Sequence, residues 1–403
     1  MKLAAFCAFA LLMGCSASEQ EEMLPELSLQ PPKIFADAGP EFAKDKRGAQ
    51  GVPTIERAPN GRLWAAWYTG PETKRVESPF SYVVLATSGD DGSTWQERKL
   101  VIQPTQYVRA MDPCLWIDPQ GRLWLFWAQS AGLRDGRWGV WAMRTDTPEE
   151  ESLEWSEPRR ISNGIMLNKP TVLANGAWLL PVGLWRDSTP DLALDGYDLS
   201  PYKAEDLTPD LGEEKGSNVV ISRDQGDTFE MWGQARAPNT RVDEHMVVER
   251  KDGSLLMLIR NTDGIMQSVS TDGGKTWSPG EMYQEGSSVA NKRFFVRRLA
   301  SGALLLVRNN GPDGRRSHLT AFVSDDDGET WQGGLLIEER VGVSYPDGVQ
   351  APDGLIDLIY DFDRAGEGLI AMATFREEDV RAGKPVSGDV RLGVEVSRLR
   401  PAE

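Results

Sequence analysis

Cysteine and histidine are scarce in this sequence, which contains three Cys and two His among 403 residues. Two of the cysteines fall within the first fifteen residues, so Cys114 alone remains in the main body and no disulfide framework is available. No Cys/His cluster has the spacing of a metal site, no Ser-His-Asp motif is recognisable, and no glycine-rich phosphate loop occurs. We therefore expect no metal, nucleotide or other cofactor.

Positive charge is also under-represented, since 44 Lys and Arg face 61 Asp and Glu and the net charge is −17. Nucleic acids and anionic membranes require a basic patch, so the composition argues against both as partners. An acidic sugar remains compatible with it, because a pocket can be locally cationic on an acidic protein. Fourteen Trp and forty Gly suit short strands joined by tight turns better than helices.

The apolar run within residues 1–14 is too short to span a bilayer and is typical of an export signal. Its end, Leu-Met-Gly followed by Cys15, resembles a bacterial lipobox, so we expect lipidation of Cys15; an ordinary signal peptide is the alternative. Ser16 favours sorting to the outer membrane. Residues 16–32 then form a tether, the lipid is the protein's membrane contact, and residues 33–403 form one domain, expected to be a monomer.

A turn motif, Ser-x-Asp-x-Gly-x-Thr-aromatic, recurs four times, beginning at Ser88, Ser222, Ser270 and Ser324. Asp and Ser can bond the backbone of a tight turn, Gly supplies positive φ, and the aromatic residue anchors the turn between strands. Each copy follows a β-rich run, which predicts a hairpin. A repeat near fifty residues is typical of a propeller or a solenoid.

Six short hairpins provide a second repeat, each with an apolar run, a Gly-containing turn and another apolar run such as NGRLWAAW. The turn motif follows the first, third, fourth and fifth hairpins, a degenerate copy with Trp155 follows the second, and the sixth has none. The sequence therefore predicts an all-β fold, a six-bladed β-propeller. Residues 32–37 are expected to add an outer strand to the last blade, with residues 390–399 as the competing candidate. The insertion at 186–217 is expected to be an active-site flap or a surface loop.

In a propeller, the first strands of all blades converge on the axis, and their starts share one rim with the ends of the second strands. Aromatic, acidic and basic side chains crowd these positions, including Trp67, Asp112, Lys169, Arg293 and Tyr345. This mixture suits a carbohydrate, because aromatic faces pack on sugar C–H groups, carboxylates transfer protons and guanidinium groups bind carboxylates.

The turn motif resembles the Asp box of the sialidase superfamily, whose enzymes use a Tyr nucleophile assisted by Glu, an Asp acid-base and three Arg around the substrate carboxylate. The resemblance places Glu244 and Tyr345 at the Glu and Tyr positions. Arg260, sixteen residues after Glu244, matches the second arginine, and Arg316 resembles the third. A phenol ionises near pH 10, so it needs an adjacent carboxylate to accept its proton as it attacks.

Parts of the pattern are missing. Gln50-Gly51-Val52-Pro53 stands where the superfamily has Phe-Arg-Ile-Pro, so the first arginine is absent, with Lys46 or Arg47 as possible substitutes. No Asp occupies the usual acid-base position; the candidates are Glu72, Glu77 and Asp112. His245, beside Glu244, is unlike the usual site and is either catalytic, substrate-binding or bonded to a backbone carbonyl.

These residues support a sialidase-like exo-glycosidase that removes a terminal acidic sugar from a glycan. One alternative is a uronate lyase, with Tyr345 as base and acid and with His245 and Arg260 neutralising the uronate carboxylate. The other is a glycan-binding lipoprotein without catalysis. Lys169, Arg293 and Trp67 are expected to contact the sugar, although such charges often only solubilise a rim and such tryptophans are mostly core. Arg260 and Arg316 have a structural alternative as rim salt bridges.

Overall fold

The computed structural model describes residues 28–71, 76–105, 107–185, 211–283, 291–312 and 314–401. These residues form six antiparallel sheets around a common axis, a six-bladed β-propeller, as the two repeats predict. Among them, no helix is long and apolar enough to cross a membrane. The predicted flap falls largely on residues 186–210, which lie outside the described part of the chain.

Each blade contains a meander of four consecutive strands that runs from the axis outward, and blade one has a fifth strand outside its meander, formed by the residues that precede it. The first three blades comprise the strands β1 (Lys33–Ala36), β2 (Ala49–Arg57), β3 (Leu63–Gly70), β4 (Tyr82–Ser88) and β5 (Gln96–Gln103); β6 (Val108–Ile117), β7 (Leu123–Ala131), β8 (Gly139–Thr145) and β9 (Arg159–Ser162); and β10 (Thr171–Val172), β11 (Trp178–Leu184), β12 (Gly216–Ser222) and β13 (Glu230–Ala235).

The last three blades follow the same plan. They comprise β14 (Met246–Glu249), β15 (Leu255–Asn261), β16 (Gly264–Ser270) and β17 (Glu281–Met282); β18 (Phe295–Arg298), β19 (Leu304–Asn309), β20 (Leu319–Ser324) and β21 (Gln332–Glu338); and β22 (Val343–Gln350), β23 (Ile356–Phe362), β24 (Leu369–Phe375) and β25 (Arg391–Ser397). A short helix, α1 (Glu377–Ala382), connects β24 to β25.

The core lies between neighbouring blades, which explains why second strands such as β3, β7 and β11 are rich in apolar residues. Every residue of β3, β7 and β11 is buried, whereas outer strands such as β13 are largely exposed or half-buried. Strands covered on both faces need no polar alternation. Between blades two and three, Trp116 packs edge-on against Trp178 with ring centroids 4.7 Å apart, and Trp124 does so at 5.9 Å.

The four repeated turns connect the third and fourth strands of blades one, three, four and five and have nearly the same hydrogen bonds. In the copy at Ser270, the Gly274 N–H donates to Ser270 Oγ (2.9 Å) and the Thr276 N–H to Asp272 Oδ1 (2.9 Å). Gly274 has φ +88°, which only glycine adopts freely. The bonds from Thr276 and Ser270 lower the pKa of Asp272 to about 2. These turns therefore stabilise hairpins at the end of the strands opposite the β22 start.

The prediction that residues 32–37 close the last blade is wrong. Strand β1 pairs instead with β5, as a fifth strand on the outside of blade one, with Ile34 opposite Ile102. Phe35 packs on Phe42, and Phe42 packs edge-on against Tyr82, so aromatic contacts hold this segment on blade one. The competing candidate is correct, because β25 forms the outer strand of blade six.

Side chains, rather than a shared strand, join blades one and six. Arg57 Nε donates to Asp357 Oδ2 (2.7 Å), and Gln50 Nε2 donates to the carbonyl of Gly368 (2.6 Å). Both Asp357 and Gln50 are buried, so these bonds are shielded from water. Polar contacts therefore join the innermost strand of blade one to the second strand of blade six and to the loop before its third strand.

Candidate active site

Three innermost strands contain the same strained feature in their first half, a residue with positive φ immediately before a proline. These residues are Val52 (φ +52°), Asp112 (φ +50°) and Tyr345 (φ +52°), in the inner strands of blades one, two and six. At each of them the pairing with the second strand shifts register, as in a β-bulge. Positive φ is a clear outlier for β-branched Val, and such strain collects at functional sites. Bulges also redirect side chains, here toward the propeller axis.

Tyr345 and Glu244 form a buried pair at this axis. The Tyr345 hydroxyl donates to Glu244 Oε1 (2.9 Å), and the two residues are 8% and 4% exposed. Arg260 Nη1 donates to Glu244 Oε2 (2.5 Å) and also lies 3.4 Å from the Tyr345 oxygen. Burial, and then the charge of Glu244, raises the pKa of Tyr345 above its ordinary value. The phenol is therefore neutral at rest, with a carboxylate placed to receive its proton.

Two further guanidinium groups lie against the Tyr345 ring. Arg316 is centred 5.1 Å from the ring centroid and donates to Ser344 Oγ (3.0 Å). Arg364 is centred 4.2 Å from the same centroid and comes from the loop after β23. Partial burial and then the charges of Arg316 and Arg260 lower the pKa of Lys292 nearby. The site is therefore cationic, although the protein as a whole is acidic.

Asp112 supplies a carboxyl group whose pKa is raised far enough to keep it protonated at neutral pH. Its side chain is buried, and burial together with the negative charges of Glu77 and Glu244 raises its pKa to about 8. At neutral pH this carboxyl is therefore protonated and can donate a proton.

Glu77, another candidate for the acid-base residue, forms an ion pair with Arg109. Arg109 Nη1 donates to Glu77 Oε2 (3.0 Å), and the Arg109 guanidinium also stacks on Trp138 at 4.7 Å. Burial alone would raise the pKa of Glu77, but the charges of Arg109 and Arg364 lower it. Glu77 is therefore ionised and unsuited to donate a proton. Glu72, the remaining candidate, lies outside the described residues.

His245 is turned away from the site. Its Nε2 lies 2.7 Å from the Asn218 carbonyl and its Nδ1 lies 3.2 Å from the Asp243 carbonyl, so both ring nitrogens face backbone oxygens. Burial lowers the pKa of His245 to about 4, and the ring is neutral. Of the expectations for this residue, the structure favours the backbone-bonded one.

The expectation that Trp67, Lys169 and Arg293 contact the sugar is wrong, because all three side chains are buried in structural contacts. Trp67 is fully buried among the core residues of blades one and six, where its Nε1 donates to Gln50. Lys169 Nζ donates to the carbonyls of Ile55 (2.8 Å) and Leu115 (2.6 Å), and Arg293 Nη2 donates to Asn168 Oδ1 (2.7 Å). Both cations are buried and hold inner strands together, because a buried charge must find such partners.

The two residues considered as substitutes for the missing first arginine, Lys46 and Arg47, have partners outside the Tyr345–Glu244 site. Arg47 pairs with Glu97 and donates to the Phe42 carbonyl, while exposed Lys46 pairs with Asp45. Sequence reasoning missed Arg364 and Arg109. The available signal for Arg364 was its place three residues after Asp361, a residue at the rim end of a second strand. Among the described residues, no group of three or more His, Cys, Asp or Glu could hold a metal ion.

Comparisons with known proteins agree with this architecture. The chain is 25% identical over 331 residues to the sialidase of Micromonospora viridifaciens, covering 77% of this chain but 49% of that protein. The chain thus spans about half the length of this relative. Among solved structures, the Hadza microbial sialidase Hz136 superposes with a TM-score of 0.63 at 16% identity, covering 86% of this chain and 69% of that one.

The intramolecular trans-sialidase from Ruminococcus gnavus, solved in complex with oseltamivir carboxylate, gives a TM-score of 0.61 at 15% identity, covering 87% and 98% of the two chains. Identities this low show the fold alone. The six sheets and these likenesses define a β-propeller with a sialidase-like glycoside hydrolase fold. The family model for the BNR repeat-like domain matches residues 61–358, and the chain belongs to this family of sialidase-superfamily propellers.

Proposed function

We propose that this protein is an exo-acting glycoside hydrolase that removes a terminal acidic sugar whose carboxylate is attached to the anomeric carbon. The observation that carries the proposal is the buried Tyr345–Glu244 pair, with a 2.9 Å hydrogen bond, set among guanidinium groups. The sialidases among the relatives support it, because their names describe the removal of such a sugar.

Tyr345 is the nucleophile in this proposal. Its oxygen attacks the anomeric carbon while Glu244 Oε1 accepts the phenol proton, so that no free phenolate is required. An anionic nucleophile would be repelled by a carboxylate on the carbon that it attacks. A neutral phenol avoids this repulsion, and Arg260 and Arg316 are placed to bind the substrate carboxylate.

Asp112 is the acid-base residue in this proposal. Its protonated carboxyl transfers a proton to the departing glycosidic oxygen. The resulting carboxylate then removes a proton from the water that hydrolyses the glycosyl–Tyr345 bond, while Glu244 returns its proton to the Tyr345 oxygen. Its pKa of about 8 supports the first half of this cycle at neutral pH.

The lyase alternative needs an imidazole beside the uronate carboxylate, and both His245 nitrogens face backbone carbonyls. A binding protein without catalysis needs the guanidinium groups but neither a phenol hydrogen-bonded to a carboxylate nor a protonated Asp112. These observations favour hydrolysis over both alternatives.

The test is a panel of 4-methylumbelliferyl glycosides of N-acetylneuraminic acid, glucuronic acid and galactose, assayed with the wild type and Tyr345→Phe. We expect release from the N-acetylneuraminic acid glycoside, whose carboxylate is on the anomeric carbon, none from the glucuronide or the galactoside, and loss of activity in the variant. An unsaturated uronate detected by ultraviolet absorbance on an acidic polysaccharide would establish the lyase instead. Saturable glycan binding without turnover would establish the binding protein.

A further inference from the structure

The Arg364 side chain occupies the space into which a side chain at position 51 would project. A Cβ placed on Gly51 would lie 2.7 Å from both Cδ and Nε of Arg364, far inside van der Waals contact. Gly51 does not have positive φ, so its backbone conformation does not require glycine. The missing side chain therefore makes room for Arg364. In the sequence comparison with Phe-Arg-Ile-Pro, this position is the one that lacks the arginine.

Arg364 is held rigidly on one side. Its Nε donates to Asp361 Oδ2 (2.9 Å), and Asp361 in turn accepts from the Val52 N–H (2.8 Å) and from Ser344 Oγ (2.5 Å). Asp361 is fully buried, so these bonds position the guanidinium before any ligand arrives. The two donors that hold Asp361 therefore belong to Val52, which has positive φ, and to Ser344, which directly precedes Tyr345.

The other side of the guanidinium is unsatisfied. Arg364 Nη1 reaches only the Tyr68 hydroxyl, at 3.5 Å, and Nη2 is buried with no hydrogen-bond partner among the described residues. A buried charged donor without an acceptor is costly, and its persistence needs an explanation. With the guanidinium 4.2 Å from the Tyr345 ring, an anion bound beside this ring would supply the acceptor.

We propose that Arg364 binds the carboxylate of the substrate and determines specificity for acidic sugars, and that Gly51 is the residue that permits it. The inference rests on the proposed function for the identity of the substrate, but the anion-binding role can be measured separately. In this assignment, the guanidinium that takes the place of the missing first arginine comes from blade six instead of blade one.

The experiment measures binding of tetrahydropyran-2-carboxylate and its methyl ester by ligand-observed NMR titration. Removing a hydrogen bond to a charged group typically weakens binding about 10- to 100-fold. We expect this loss for the carboxylate in Arg364→Ala and a smaller one in Arg364→Lys, with binding of the ester unchanged. Arg340→Ala is the matched control, because Arg340 also stacks on an aromatic ring, that of Phe362 in blade six, but pairs with Glu338.

A double variant distinguishes loss of the guanidinium group from misfolding. In Gly51→Arg combined with Arg364→Ala, the space vacated by one side chain accepts the other, and carboxylate binding should recover. Gly51→Arg alone should clash and lower the Tm. Equal carboxylate binding by the wild type, Arg364→Ala and Arg364→Lys would overturn the inference, as would a wild type that does not bind the carboxylate at all.

Glycoside kinetics separate this inference from the proposed function. Hydrolysis by the wild type with an unchanged KM in Arg364→Ala overturns the role of Arg364 and leaves the hydrolase intact. Arg364-dependent carboxylate binding without cleavage of any acidic glycoside overturns the hydrolase and supports the anion site.

Discussion

Replacing Glu244 by Gln tests the proton acceptor with little change of shape. In the wild type, Oε1 accepts from the Tyr345 hydroxyl (2.9 Å) and Oε2 accepts from Arg260 Nη1 (2.5 Å). A Gln side chain can still accept from Arg260 through its single carbonyl oxygen. Its NH₂ group then faces the phenol and cannot accept a proton from it.

We expect Glu244→Gln to lower kcat by about 10²- to 10⁴-fold, the range for a positioned proton acceptor. At about 1.36 kcal/mol per factor of ten, this corresponds to roughly 3–5 kcal/mol of transition-state stabilisation. KM should change less than kcat, because the cationic groups that bind the substrate carboxylate remain in place.

His245→Ala is the matched variant at the neighbouring position. Removing the buried imidazole takes away the ring nitrogens that lie against the Asn218 and Asp243 carbonyls, which should lower the free energy of unfolding by about 1–3 kcal/mol. Because both ring nitrogens face backbone carbonyls, kcat should stay within a few-fold of the wild type.

The assay is steady-state hydrolysis of the acidic glycoside selected by the panel, with denaturant unfolding measured on the same samples. The hydrolase mechanism predicts a large kcat effect in one variant and a stability effect in the other. If His245→Ala abolished turnover while Glu244→Gln retained most of it, the Tyr–Glu mechanism would be refuted and the lyase chemistry favoured.

Three further changes test the acid, the turns and the N-terminus. Since only a protonated Asp112 can donate, kcat/KM should fall as the pH rises through about 8. Asp112→Asn should abolish this alkaline decrease along with most of the activity. If the residual activity of the variant still fell at alkaline pH, a group other than Asp112 would be the cause. Asp272→Ala breaks a turn at the far end of the strands and should lower the Tm while leaving kcat unchanged, which thermal unfolding and kinetics would check. Cys15→Ser should shift the protein from the membrane fraction or block its processing, and a wild type already soluble after export would contradict the lipobox interpretation.

The strand and turn pattern was readable from the sequence because its causes are local. Ser270, Asp272 and Thr276 bond one another within a single turn, and Gly274 adopts the positive φ that the turn requires. Six apolar hairpins then predicted six blades. The misassigned strand β1 shows where local information ends, because Lys33–Ala36 suits any exposed sheet edge and the aromatic packing of Phe35 and Phe42 selects blade one.

The Tyr345–Glu244–Arg260 cluster was predicted by resemblance, and the structure brings these residues together across 101 positions of the chain. Rim position was the ground for expecting sugar contacts from Trp67, Lys169 and Arg293, and it failed because a place on an inner or second strand does not say whether a side chain faces the site or a neighbouring blade. Buried polar partners decide that orientation, and for Lys169 these partners are carbonyls of two other blades.

Residue type and spacing predict the hairpins and the number of blades, whereas the resemblance to sialidases predicts that Tyr345 and Glu244 meet at the axis. Contacts between distant parts of the folded chain were needed to show that Arg364 fills the space beside Gly51 and that burial near other carboxylates keeps Asp112 protonated. Arg364 and Tyr68 are 296 residues apart, and meet because blade six closes on blade one. Contacts of this kind depend on ring closure, which sets distances that no local pattern records.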